Sequence, residues 1–169
     1  RPRQEFDFLM KLFLESFNNF KNDQRISKYG IKVRFIGRLG MFPKNVRDAM
    51  SELMENTKYN KNYTINFAMA YSGRAEIIDA VKKLATDVSK GKITVEEINE
   101  EIFNKNLYLE SEPDLIIRTG GEKRMSGFLL WQGSYAEFVF MDKLWPEFEK
   151  EDLVFALKEY NKRERRFGK

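Results

Sequence analysis

The apolar positions of this chain follow two periods, and their alternation predicts a layered α/β fold. Apolar residues spaced three and four apart, from Phe6 to Phe20, mark a helix that begins at Pro2. Alternating and β-branched runs predict strands at residues 31–37, 63–71, 115–119 and 138–141. Further helical spacing predicts helices at residues 45–55, 75–89 and 151–165.

Some elements carry finer predictions. Residues 21–30 look turn-like, and residues 128–132 look like a helical turn. Thr94 and Glu97 have the spacing of a capping box for a short helix that ends near Lys105. In the helix at 75–89 the residues expected to face inward are Ile77, Ile78, Val81, Leu84, Ala85 and Val88. In the last helix they are Leu153, Ala156, Leu157 and Tyr160.

Strands that alternate with helices indicate a central, mainly parallel sheet with flanking helices and right-handed crossovers. Only four strands are visible in the pattern, which is few for such a sheet. No repeat, low-complexity stretch or linker interrupts the chain. We therefore expect residues 1–169 to form one domain.

The amino-acid composition limits which side chains could carry out chemistry, and it says less about the fold. The chain has 169 residues, 42% of them apolar and 15 of them Phe, enough for a sizeable core. It has 30 Lys and Arg against 26 acids, an excess too small to indicate nucleic-acid binding. It has neither Cys nor His, so any chemistry must use carboxylates, Arg, Lys, hydroxyls or an external metal. With no signal peptide and no apolar run near 18 residues in its sequence, we expect a cytoplasmic protein.

Residues 115–126 contain the kinds of side chain that bind an anion. The strand at 115–119 runs into Arg118 and then a turn at Gly120 and Gly121, which lets the backbone approach a ligand closely. The fork-shaped donors and the hydroxyl suited to a phosphate or diphosphate are those of Arg118, Arg124 and Ser126. A plainer alternative stays open, in which the arginines only pair with nearby acids, Asp114 and Glu122.

The same stretch resembles a known family. The run DLIIRTGGEKRMSGFLLWQGSYAEFVFMDKLWPEF closely resembles the signature of the cis-prenyltransferases, the undecaprenyl and dehydrodolichyl diphosphate synthases. The Arg-Pro opening, the turn Tyr71-Ser72-Gly73-Arg74 and the closing ERRFG extend the resemblance over essentially the whole chain. It implies a transferase that condenses isopentenyl diphosphate with farnesyl or geranylgeranyl diphosphate. The product implied is a cis-polyprenyl diphosphate, the precursor of a glycosyl-carrier lipid, made with Mg²⁺.

The resemblance also implies roles for individual residues. The family's ligands for isopentenyl diphosphate match Arg1, Arg118, Arg124 and Ser126. Its acid associated with the magnesium site matches Glu137. Its terminal Arg-x-Gly motif, which reaches the partner's diphosphate in family dimers, matches Arg166 and Gly168. We therefore expect a homodimer, with the aromatic run from Phe128 to Phe148 as a candidate interface.

The family's product tunnel has apolar walls, and two predicted elements match them. The residues expected there are Leu9, Phe13, Tyr63, Phe67 and Met69. Burial of each added isoprene unit would draw the growing chain inward, and the bulky side chains would help to set product length. The plain alternative is that these residues form an ordinary core. Because a hydrophobic product would leave the tunnel, we expect the protein to make peripheral contact with a membrane.

The chain also departs from the family pattern. The family's Asp-Gly-Asn loop, which carries the catalytic acid and binds the allylic diphosphate, does not occur in this sequence. We therefore expect an upstream segment that supplies this loop and two further strands, and we expect residues 1–169 alone to be inactive. Arg38 and Ala70 replace an Asp and an Asn that many relatives have. The alternative function is a non-catalytic partner subunit, although such partners typically lose the Arg-Thr-Gly-Gly-Glu element kept here.

Overall fold

A computed structural model describes residues 3–163, which form two compact units that divide between Tyr71 and Ser72. The α-helices are α1 (Arg3–Asn22), α2 (Gln24–Lys28), α3 (Lys44–Thr57), α4 (Gly73–Ser89), α5 (Glu100–Asn104) and α6 (Lys150–Asn161). The strands are β1 (Ile31–Ile36), β2 (Tyr63–Ala68), β3 (Leu115–Arg118) and β4 (Glu137–Phe140). Short 3-10 helices occur at Leu39–Met41 and Trp145–Glu147.

In the first unit β1 and β2 pair in parallel, with Ile31 opposite Tyr63. Helices α1 and α3 pack together beside this pair and bury an apolar core with β1. The core is rich in rings: Phe35 meets Phe17 edge-on at 4.8 Å and stacks on Phe67 at 5.4 Å. Parallel strands need cover on their faces, and the phenylalanine stripe of α1 supplies it for this pair.

In the second unit β3 and β4 also pair in parallel, with Leu115 opposite Glu137. Helix α6 packs against β4, and Ala156 is fully buried with Val139 and Met141. The α/β class and the parallel pairing are thus confirmed. Within the described residues the four strands form two two-stranded sheets, where the sequence pattern predicted a single one.

Two segments differ from their predicted structure because side chains cap helices at positions that the sequence pattern did not indicate. Residues 24–28 are helical where a turn was expected, since Asp23 accepts a hydrogen bond from the Arg25 N–H at 2.9 Å. The Thr94 N–H does donate to Glu97 at 2.6 Å, but no helix follows there. The helix begins at Glu100 instead, because Asn99 caps the Ile102 N–H at 2.9 Å.

The buried faces of α4 and α6 were partly mispredicted. On α4 the buried positions are Gly73, Glu76, Ala80 and Leu84, of which only Leu84 was predicted, whereas Ile78, Val81 and Ala85 are exposed. On α6 only Ala156 is buried, whereas Leu153 and Leu157 are exposed. The apolar pattern did not predict the buried face of α4, because that face includes the carboxylate of Glu76.

Element ends also shifted. Strand β2 stops at Ala68 because Ala70 adopts a positive φ of 46° that no strand accepts. Strand β4 starts one residue earlier than predicted, at Glu137. The expected helical turn at 128–132 is a series of turns, in which the Gly133 N–H donates to the Leu129 carbonyl at 2.8 Å. No helix within residues 3–163 has the length and apolar character needed to cross a membrane.

Candidate functional site

The turn after β3 is held to the end of β4 by backbone hydrogen bonds. The Gly120 N–H donates to the Lys143 carbonyl at 2.8 Å, and the Gly121 N–H donates to the Met141 carbonyl at 2.9 Å. Both glycines have positive φ, 89° and 76°, which a residue with a Cβ rarely adopts. The turn therefore has a fixed shape at the carboxyl edge of the β3–β4 pair, where open α/β sheets commonly bind ligands.

Arg118 ends β3 beside this turn, and the structure brings it together with Arg124 and Ser126. One Arg118 guanidinium nitrogen, Nη1, donates to the Ser126 hydroxyl oxygen at 3.0 Å and to the Arg124 carbonyl. Ser126 has a φ of 49°, a left-handed conformation that is uncommon outside glycine. The three residues that were predicted to hold a diphosphate thus lie in one cluster.

The plainer alternative for the two arginines holds for one of them. Arg124 pairs with Glu122 at 2.6 Å, and both side chains are largely exposed. Among residues 3–163 no carboxylate pairs with Arg118. Because an exposed ion pair contributes little free energy, a bound diphosphate could displace Glu122 from Arg124 at small cost.

Arg118 and Arg124 also line a small cavity. It has a volume of about 190 Å³ and is open to one side. Arg118 and Arg124 stand at its charged part, and the rest of its lining is apolar: Ile116, Ile117, Met125, Phe128 and Phe138. A cavity lined by two arginines and by apolar side chains suits a ligand with an anionic head and a short hydrocarbon body.

Glu137 lies apart from this cluster. It is the first residue of β4 and pairs with Leu115, whereas Arg118 pairs with Phe140 at the other end of the ladder. The two ends are three residue steps apart along the strands, which is about 10 Å. The Glu137 carboxylate accepts a hydrogen bond from Arg163 at 2.5 Å.

The described residues do not by themselves form a magnesium site. Within residues 3–163 no group of three or more acids or other metal-binding side chains is close enough to hold an ion. Mg²⁺ requires several oxygen ligands in near-octahedral geometry, and Glu137 offers one carboxylate that is already paired with Arg163. We therefore assign no chemical step in this chain to a metal.

The predicted tunnel residues lie in the first unit, and four of the five pack on its core. Those four are Leu9, Phe13, Phe67 and Met69. Tyr63, the fifth, is 64% exposed at the start of β2. Phe67 is partly buried, between Phe35 at 5.4 Å and Phe20 at 5.5 Å.

Three predicted residues fall outside the described part of the chain. They are Arg1, Arg166 and Gly168.

Comparison with known proteins identifies the family of this chain. The family model named Prenyltransf, which describes undecaprenyl diphosphate synthases, matches residues 1–168. The chain belongs to the undecaprenyl diphosphate synthase family. The predicted resemblance to cis-prenyltransferases is thereby confirmed.

Curated members of this family from archaea are similar over the whole chain. A tritrans,polycis-undecaprenyl-diphosphate synthase (geranylgeranyl-diphosphate specific) from Pyrococcus horikoshii is 48% identical over 171 residues. The protein of the same name from Methanocaldococcus jannaschii is 46% identical over 173 residues. The alignments cover 100% of this chain but 65% and 62% of those relatives, so the chain spans slightly less than two thirds of their length.

Solved structures of the family show the same fold. Lavandulyl diphosphate synthase from Lavandula x intermedia, in complex with dimethylallyl diphosphate, is 35% identical with a TM-score of 0.95. A probable undecaprenyl diphosphate synthase from Campylobacter jejuni is 37% identical with a TM-score of 0.86. Each covers all of this chain, which spans 73% and 77% of the two solved chains.

Sequence reasoning missed two buried polar residues of the second unit. Glu76 in α4 and Gln132 are each 1% exposed, and the Gln132 amide donates to the Glu76 carboxylate at 3.0 Å. The sequence did contain a signal for Glu76. It is a charged residue at helical spacing from two apolar residues, Ala80 and Leu84, which are buried on the same helix. A charged residue at helical spacing with buried apolar neighbours predicts a satisfied internal carboxylate.

Proposed function

We propose that this chain is the larger part of a cis-prenyltransferase that binds the diphosphate of isopentenyl diphosphate. The enzyme would join this five-carbon unit to an allylic diphosphate and repeat the addition to give a cis-polyprenyl diphosphate. Such a product would serve as the precursor of a glycosyl-carrier lipid. The observation that carries the proposal is the Arg118 guanidinium, fixed by Ser126 and Arg124 at a glycine turn and lining a largely apolar cavity.

The geometry supports binding of the head group in a defined orientation. A diphosphate at the cluster would accept hydrogen bonds from the guanidinium groups and the hydroxyl, which are charge-assisted and therefore strong. The five-carbon body would lie against the apolar part of the cavity, lined by Ile116, Met125 and Phe138. Fixing both ends of the substrate lowers the entropic cost of bringing its double bond to the second substrate.

The second substrate is proposed to be farnesyl or geranylgeranyl diphosphate. The names of the Pyrococcus horikoshii and Methanocaldococcus jannaschii relatives, both geranylgeranyl-diphosphate specific, favour the longer primer. Because the family's Asp-Gly-Asn loop does not occur in residues 1–169, we propose that these residues form one domain that is inactive alone. A requirement for Mg²⁺ stays a prediction, as do the roles of Glu137, Arg1, Arg166 and Gly168.

The decisive experiment removes the Arg118 guanidinium from the full-length protein. We expect Arg118→Ala to lower kcat/KM for isopentenyl diphosphate by about a hundredfold or more, because a preorganised charged donor is lost. Arg118→Lys should recover only part of this, since an ammonium cannot reproduce the fork geometry. The measurement is incorporation of labelled isopentenyl diphosphate into extractable product, with each allylic primer in turn.

Arg25→Ala is the matched control. Arg25 is an exposed arginine of the first unit that pairs with Asp23 at 2.6 Å, and its loss should leave kcat/KM within about twofold. An Arg118→Ala protein with wild-type KM for isopentenyl diphosphate would overturn the diphosphate assignment. A full-length wild-type protein that makes no product would instead favour the non-catalytic partner subunit.

The first unit is proposed to set product length. Phe67→Ala should open space beside Phe20 and Phe35 and shift the product distribution to longer chains by at least one isoprene unit. Tyr63→Ala, at the exposed start of β2, should shift it less. Product lengths are measured by mass spectrometry after dephosphorylation. Unchanged lengths in both variants would leave these residues as ordinary core.

We also propose a homodimer with peripheral membrane contact. Trp145 is 70% exposed and stacks on Phe148 at 5.3 Å, so the predicted aromatic run presents apolar surface. Exposed aromatic patches of this kind are typical of subunit contacts. Sedimentation equilibrium distinguishes dimer from monomer, and flotation with lipid vesicles measures membrane contact. A monomer across the micromolar range would contradict the first proposal.

A further inference from the structure

A buried pair, Glu76 and Gln132, lies at the centre of the second unit. The Gln132 Nε2 donates to the Glu76 Oε1 at 3.0 Å and to the Leu109 carbonyl at 2.8 Å. The same Glu76 oxygen accepts from the Tyr108 N–H at 2.9 Å and the Leu109 N–H at 3.3 Å. Because both groups that face the Gln132 nitrogen are acceptors, the orientation of the amide is fixed chemically.

A buried polar pair of this kind is poorly explained by stability alone. Burial of a carboxylate is costly, and well-packed apolar residues of the same volume often stabilise a fold as well or better. The Gln132 Oε1 is also buried and accepts no hydrogen bond from any residue between 3 and 163. What directional hydrogen bonds supply, and apolar packing does not, is a defined position for the backbone that carries Gln132.

That backbone is strained just where the anion cluster lies. Ser126 and Leu129 have positive φ values of 49° and 45°, and Gly127 between them has 79°. A non-glycine residue in this conformation is strained and persists only where its surroundings hold it. The segment from Arg124 to Gly133 therefore needs external restraint to keep Ser126 in place.

Helix α4 supplies that restraint at two points one turn apart. The Gly73 N–H at its start donates to the Gly127 carbonyl at 2.7 Å. A Cβ on Gly73 would lie 2.7 Å from that carbonyl and 2.9 Å from the Leu130 side chain, so the approach is as close as a glycine allows. The second point is Glu76, which holds Gln132 five residues further along the segment.

We propose that Glu76 and Gln132 are positioning residues for the diphosphate site. Their hydrogen bond fixes the segment from Arg124 to Gly133 on α4. That attachment keeps the Ser126 hydroxyl and the Arg124 carbonyl against the Arg118 guanidinium. The kinetic consequence rests on the proposed function, whereas the structural consequence, a firmly held Gly73–Gly127 hydrogen bond, does not.

The test compares variants that break the pair with one that preserves its shape. Gln132→Met removes the donor at nearly constant volume, and Glu76→Gln keeps an acceptor oxygen in the same place. The control is Thr57→Val in the first unit, which removes a buried hydroxyl that accepts from the Val33 N–H at 3.0 Å and donates to the Leu53 carbonyl at 2.9 Å. All are made in the full-length protein.

Two measurements are made on each variant. The first is KM and kcat for isopentenyl diphosphate, and the second is hydrogen exchange of the Gly73 amide. We expect Gln132→Met to raise KM roughly tenfold to a hundredfold, since small misplacements of binding groups are costly, and to speed Gly73 exchange about tenfold or more. Glu76→Gln should stay within about threefold of wild type in both. Thr57→Val should lower the melting temperature without moving either readout.

Two results would contradict the positioning role of Glu76 and Gln132. A Gln132→Met protein with unchanged KM and unchanged Gly73 exchange overturns it, and so does a Thr57→Val protein that shifts both as strongly. If the wild-type protein makes no product, the proposed function fails, but Gly73 exchange in Gln132→Met still tests the restraint. Should Gln132→Met not fold, Gln132→Asn retracts the amide by one methylene and carries the same expectations.

Discussion

The two units of this chain are stabilised in different ways. In the first, the buried residues are apolar apart from the hydroxyl of Thr57, and the rings of Phe17, Phe35 and Phe67 lie in contact. In the second, Glu76 and Gln132 are buried with the apolar residues, and Gly73 admits a close backbone approach. Apolar packing tolerates changes of shape if volume is kept, whereas directional hydrogen bonds do not tolerate the loss of one partner.

The difference matches what each unit is proposed to do. A wall for hydrocarbon chains needs bulk and little directional chemistry, and a phenylalanine-rich core supplies bulk. A diphosphate site needs donors held to within a fraction of an ångström. We propose that the attachment of the segment around Ser126 to α4 supplies that accuracy. Three substitutions test this contrast between the units.

The largest effect is expected in the aromatic core. Phe35 is 6% exposed, so Phe35→Ala should lower the free energy of unfolding by about 3–5 kcal/mol through lost burial and a residual cavity. Phe35→Leu should recover more than half of the loss, because an apolar residue of similar size can repack. Chemical denaturation measures both. A Leu variant as unstable as the Ala variant would show that this core is as shape-specific as the second unit.

A smaller loss is expected at the glycine that starts α4. Gly73→Ala forces a methyl group to within 2.7 Å of the Gly127 carbonyl and should cost about 1–3 kcal/mol of unfolding free energy. Because the clash pushes on the segment that carries Ser126, KM for isopentenyl diphosphate should rise as well.

Gly40→Ala is the matched control in the first unit. Nothing lies within 4 Å of a Cβ placed there, so it should change the free energy of unfolding by less than about 0.5 kcal/mol. Equal effects of the two glycine substitutions would remove the contrast between the units at this point.

The smallest effect is expected at the start of α6, in its dependence on pH. A hydrogen bond from the Glu149 N–H, at 2.8 Å, and then Lys143, at 2.9 Å, hold the pKa of Asp152 below its ordinary value of 3.8. A carboxyl with a lowered folded pKa stabilises fully above its unfolded pKa and loses this contribution as pH falls through the folded value.

Asp152→Asn should therefore flatten the fall in stability on acidification below about pH 4. Thermal melts at a series of pH values, wild type beside variant, measure the slope. Parallel curves for the two proteins would show that this carboxyl adds nothing to the acid sensitivity of the second unit.

Local pattern was enough to predict most elements and the members of the anion cluster. Arg118, Gly120 and Gly121 were placed at the edge of a sheet because they directly follow a strand pattern, although the pattern left open whether the arginines only pair with nearby acids. Helix α2 and the start of α5 were missed because single capping residues, Asp23 and Asn99, decide such short helices.

The α/β class, the parallel strands and the donors near Arg118 could be predicted from the sequence, because they depend on periods and spacings of neighbouring residues. Only the tertiary structure decided that α4 buries Glu76 against Gln132, 56 positions away. It also decided that Glu137 lies at the opposite end of the strand ladder from Arg118. Pairings between distant segments depend on how backbones approach one another, and no local spacing records that approach.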